Sequence, residues 1–225
     1  MLVGAIIVVS LIAIGFALLI LWPFFEERLE KRTFQKDFYK QVYQLAIDKD
    51  FYVINDVVLE IDTKFIHFNH ILFGEKYIYC ICDSYFEGPL SGKYTDQQWF
   101  MYKNNGQLEH IKNPLLLHRA RLSYVTSALR AEELFVGLCV VNESCLVDVI
   151  QGAPDYLTVI NVKDFKEYVS KREKENVPPI NSIQLDSLNM GTNENPKYIS
   201  ISHDLTPDER KNFDKILTKR KVVFA

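Results

Sequence analysis

Asp62-Thr63-Lys64 sets a carboxylate and an amine two residues apart, and on a strand both side chains would face the same side. A metal-binding acid and a water-polarising lysine stand this way in phosphodiester hydrolysis. Two more acids lie nearby: Asp56, which reads as a hydrogen bonder shaping a bulge or strand end, and Asp83. His67 and His70 are three apart, so on a regular strand they face opposite sides and cannot chelate one ion without a bulge. Cys80 and Cys82 alternate with Ile81 and share a face, unlike the C-x-x-C knuckle of a zinc site, and no second knuckle exists. With Cys139 and Cys145 they read as buried free thiols in a reducing compartment.

The elements that must position these groups follow from the hydrophobic pattern. Residues 64–73 and 77–83 are β-branched and aromatic runs around Gly74-Glu75-Lys76, the pattern of a β-hairpin. Gly88, Pro89 and Gly92 then turn the chain. Residues 52–61 read as a first strand, and 60–64 as falling in the solvated loop between the first and second strands. Residues 95–103, centred on Trp99, read as another strand before the turn Asn104-Asn105-Gly106. Asn113-Pro114 opens a helix over 114–130 with Pro114 at its first position. The apolar run LFVGLCVV, 134–141, predicts a central strand buried on both faces. Strands at 145–149 and 157–162 and a charged helix at 163–175 complete the set. Upstream, 26–49 is helical, with Phe34, Phe38, Val42 and Leu45 on one apolar face.

This frame resembles the nuclease-related domain (NERD) family, whose fold belongs to the PD-(D/E)xK nuclease group. FNHILFGEKYIYCICDSYFEGPLSG keeps the family's hydrophobic hairpin, with His70, Gly88 and Gly92, and YVINDVVLEI matches its first strand. The family's hairpin carries an Asp, then a Glu and a Lys two residues apart. Asn69, Cys82 and Ser84 occupy those places here. Leu117 stands where the family's Asn-Pro-x-x-Gln helix start has its Gln, with His118 beside it, and the family's opening Gly-Glu is missing, Asp37 being the nearest acid. The resemblance spans roughly residues 34–175. It implies an α/β fold, a PD-(D/E)xK-like mixed sheet flanked by helices, whose catalytic motif is degenerate. Asn offers no charge, a thiol is a soft and poor Mg²⁺ ligand, and Ser supplies no cation.

Residues 2–25 contain no charged residue, long enough for a transmembrane helix over 2–22. No basic segment precedes the apolar run and no small-x-small motif ends it, so an uncleaved anchor is expected rather than a signal peptide. Arg28, Lys31, Arg32 and Lys36 follow it, which leaves the N-terminus outside and the rest in the cytoplasm. The expected division is an anchor at 1–25, a nuclease-related domain at 26–176, then a linker and a basic C-terminal helix at 177–225. The net charge of −3 gives no general electrostatic pull on nucleic acid.

Two functions are open. One is a membrane-anchored, catalytically inactive module that binds or scaffolds a protein partner or nucleic acid, with no catalytic, metal or cofactor residues and no cofactor. The alternative is a Mg²⁺-dependent DNA or RNA nuclease with a relocated site drawn from Asp56, Asp62, Lys64 and Asp83.

Overall fold

The computed structural model describes residues 2–61, 64–129, 132–147 and 152–180, with the backbone alone for residues 2–21, 23, 24, 60, 64, 128 and 129. Asp62, Thr63 and the expected C-terminal basic helix lie outside the described residues, as does the expected linker beyond Ile180. The chain divides into two compact units, residues Met1–Asp37 and Phe38–Ala225. Helix α1, Leu2–Lys49, runs through that boundary. Among the described residues no helix is long and apolar enough to cross a membrane. The second unit begins at Phe38, the first fully buried residue among those of α1 whose side chains are described; Val42, Leu45 and Ala46 follow at helical spacing on the same buried face.

Lys49 leads into a five-stranded mixed sheet, ordered β1-β2-β3-β7-β8. Strands β1 (Tyr52–Ile61), β2 (Lys64–Phe73) and β3 (Ile78–Ser84) are antiparallel neighbours. Strands β7 (Phe135–Val141) and β8 (Leu157–Asn161) then add on in parallel to β3. Every residue of β7 is buried, as its unbroken apolar run requires at the interior of a sheet covered on both faces. Helix α2 (Pro114–Leu129) covers one face and α3 (Phe165–Arg172) belongs to the other, where Phe165 meets Phe38 edge-to-face at 5.1 Å.

Between β3 and α2 the chain builds a second, three-stranded antiparallel sheet, β4 (Leu90–Ser91), β5 (Gln98–Tyr102) and β6 (Leu108–Lys112). The expected strand at 95–103 is the shorter β5, and it pairs with β4 and β6 instead of joining the main sheet. Gly106 takes φ +81° in the β5–β6 turn, a conformation open to glycine. The expected strand at 145–149 is reduced to one bridge between Val147 and Leu90, with 148–151 outside the described residues. The expected charged helix over 163–175 shortens to α3, because Val162–Asp164 form a turn. Ile180, expected to lie in a linker, is buried and donates its N–H to Glu75 O at 2.8 Å.

Candidate functional site

The β2–β3 register sets His70 opposite Ile81 and Ile71 opposite Cys80. Alternation then sends Asp83 to the His70 face, while Cys80, Cys82 and Ser84 face α2. Two polar clusters result, one on each side of β3.

On the α1 side, His70 Nδ1 lies 2.6 Å from Asn55 Oδ1 and Nε2 lies 3.7 Å from Asp83 Oδ1. All three residues are buried. Phe38 and Tyr39 of α1 lie over the imidazole at centroid distances of 5.4 and 5.9 Å. Burial lowers the His70 pKa to about 4, with Asp56 pulling it up and His67 pushing it down. With Nδ1–H donated to Asn55 Oδ1, the Nε2 lone pair is left facing the carboxyl of Asp83. Asn55 Nδ2 is buried with no partner.

Asp56 is unusual in its backbone. It takes φ +52°, outside the range most residues adopt, and β1–β2 pairing skips it between Asn55↔His70 and Val57↔Phe68. Beyond this kink the strands exchange faces, so that both Ile54 and Val57 join one hydrophobic cluster. The Asp56 side chain is exposed and its Oδ1 meets His67 Nε2 at 2.7 Å.

On the α2 side, Asn69, Cys82 and Ser84 hold the three positions that the resemblance makes catalytic. Asn69 Oδ1 accepts from the Asp83 N–H at 3.3 Å. Cys82 receives Arg121 Nη1 at 3.3 Å and is also approached by the Asn69 backbone N–H. Burial raises the Cys82 thiol pKa, against the lowering effect of the Arg121 guanidinium. His118 is buried, its Nε2 2.9 Å from Cys80 O and its Nδ1 without a partner; desolvation lowers its pKa to about 4. Leu117 is exposed. The inward position next to it belongs to His118.

The structure thus brings Asn69 and Cys82 together, and of the relocated-site candidates it describes the side chains of Asp56 and Asp83, which lie apart in burial. Asp83 is buried, Asp56 is exposed and paired with His67, and Asp62 lies outside the described residues, as does the Lys64 side chain. Lys64 pairs with Ile61 at the far tip of the β1–β2 hairpin, five residues and about 16 Å of strand from Asn69. Among the described residues no three His, Cys, Asp or Glu side chains are grouped to hold a metal ion. All four cysteines are free and buried. Arg121 and Asn55 went unread in the sequence. Arg121 had a signal: it lies three residues after His118, on the same side of a helix begun at Pro114.

No protein-family model, curated protein or solved structure matches this chain.

Proposed function

We propose that this chain is a membrane-anchored nuclease-related domain that has lost its metal centre and serves as a binding or scaffolding module in the cytoplasm. The observation that carries the reading is the guanidinium of Arg121 on the thiol of Cys82, at the position where the resemblance puts a metal-binding Glu. A Mg²⁺ site needs anionic oxygens converging on the ion. Here a thiol stands in place of one, and the Asn69 carboxamide oxygen is taken up by the Asp83 N–H. The Arg121 guanidinium already stands beside that thiol. Bringing a divalent ion to about 6 Å from a guanidinium costs on the order of 5 kcal/mol at an effective dielectric of about 20, before any ligand is counted. The anchor rests on the charge-free sequence of residues 2–25 and the basic residues that follow it.

The full chain in lipid nanodiscs, given supercoiled plasmid and single-stranded DNA and RNA in Mg²⁺ or Mn²⁺, is expected to leave every substrate intact. Cleavage that disappears in Asp83→Asn or Asp62→Asn would sink this reading and establish the alternative, a nuclease with a relocated site.

A further inference from the structure

The outer face of the small sheet is apolar, aromatic and free of carboxylates. In β5 and β6 the pairs Gln98↔Lys112, Phe100↔His110 and Tyr102↔Leu108 share this face, because Trp99 and Met101 point the other way into a buried cluster. Phe100, Tyr102 and Leu108 are 38%, 51% and 50% exposed, and the Phe100 ring lies 4.7 Å from the His110 ring. The nearby acids turn away: Glu109 alternates to the inner side, and Lys103 pairs with it, at 2.7 Å, and with Glu87, at 3.4 Å. What remains outward is rings, one Leu, one Lys and uncharged polar groups.

The position of this face in the fold indicates what covers it. Strands β3, β7 and β8 end together at Ser84, Val141 and Asn161. The small sheet hangs from that end. Asn142 clasps Phe86 through its Oδ1 and Nδ2, at 2.8 and 2.9 Å, and Leu90 N–H donates to Leu146 O at 2.8 Å. Phe38, where the second unit begins, belongs to the same end, since its ring meets His70, beside Asp83, and Phe165, just after β8. Residues 45–49 of α1 lead instead to Tyr52, which pairs with Phe73 at the opposite end. Phe38, the first residue of the second unit, therefore lies at the end of the sheet that carries the aromatic face.

We propose that this face docks on the lipid bilayer interface, its rings and Leu108 at the headgroup boundary and Lys112 toward lipid phosphates. The proposal rests on the reading of residues 2–25 as a membrane anchor. Tyr, Phe and Leu with an adjoining Lys suit that boundary, where one side of a ring is apolar and the other is wet. A lone cation is too little for nucleic-acid backbone tracking but sufficient here, because a tethered domain meets the bilayer at high effective concentration.

The test uses the full chain in phosphatidylcholine–phosphatidylglycerol vesicles at a single copy per vesicle, with hydroxyl-radical footprinting of carbonate-resistant material. Phe100 and Tyr102 are expected to oxidise several-fold more slowly than Tyr156, an exposed tyrosine of the main domain. Leu108→Glu, at an exposed edge-strand position, should bring both up to the Tyr156 rate. Chains that stay in the vesicles yet oxidise freely at Phe100 and Tyr102 overturn the docking and leave the anchor standing. Protection that survives Leu108→Glu, or that needs several copies per vesicle, overturns it too. Chains released by carbonate overturn the anchor, and the docking falls with it.

Discussion

Gly92 lies against the Trp99 indole so closely that a Cβ there would overlap the ring, and a Cβ on Gly88 would overlap Tyr102 O. Two glycines of the hairpin frame are therefore fixed by close packing of the small sheet. Gly92→Ala is expected to cost about 1–3 kcal/mol of folding stability as the indole is displaced. A urea midpoint unchanged from the parent would contradict this. His118 makes a second prediction at this scale. Its folded pKa of about 4 lies below the ordinary 6.5, so between those values the unfolded chain binds a proton that the folded chain refuses. Stability must fall as pH drops from 6.5 toward 4, and His70 adds a loss of the same sign. Each imidazole contributes on the order of 3 kcal/mol across the full window. His118→Gln keeps a donor for Cys80 O and removes one titration, so the slope of stability against pH should roughly halve; an unaltered slope would refute the assignment. The hairpin that carries Asn69, Cys82 and Ser84 was legible because strand alternation fixes which residue faces which way. Arg121 was not, because its contact with Cys82 depends on how α2 crosses β3.

The end of α3 is clamped to the β2–β3 turn by side chains far apart in sequence. Glu173 accepts from Tyr79 Oη at 2.6 Å and from the Lys76 N–H at 2.9 Å, and Glu175 accepts from Tyr77 Oη at 2.7 Å. Arg172 stacks on the Tyr77 ring at 4.7 Å and pairs with Glu175. Gly74 leaves the space this needs, since a Cβ there would overlap the Glu173 carboxylate. Burial already raises the Glu173 pKa, and its hydrogen bonds from Tyr79 and Lys76 offset that. Tyr79→Phe should therefore cost about 1–3 kcal/mol by leaving a half-buried carboxylate short of a donor. Amide exchange at residues 74–77 should quicken; exchange and stability both unchanged would show that the clamp is incidental. At this scale the sequence was readable wherever one period held. Strands β1, β2, β3 and β7 and helix α2 follow their apolar runs. Strand β6, LEHIK, is an edge with little apolar alternation and gave no signal. The separation of β4–β6 into their own sheet depends on contacts with Leu115, Cys139 and Leu157 that no local pattern encodes. The kink at Asp56 needs a positive φ that the residue type permits but does not announce.

For the whole molecule, the proposed anchor sets the side of the membrane on which the domain works. Arg28, Lys31, Arg32 and Lys36 follow the charge-free stretch closely, and such residues are retained on the cytoplasmic side. Cys80, Cys82, Cys139 and Cys145 are all free and buried. Their burial makes the chain a quiet background for labelling. Leu146 is 67% exposed in the loop after β7, so Leu146→Cys supplies one reachable thiol without opening the core. In intact cells a membrane-impermeant maleimide should leave this variant unmodified. After permeabilisation it should react rapidly, while the parent chain stays largely unreacted under both conditions. Rapid modification in intact cells would reverse the orientation and put the Cys82–Arg121 contact outside the cell. A parent chain that reacts as fast as the variant would instead show that its native thiols open to solvent, which contradicts the packing of β3 against β7.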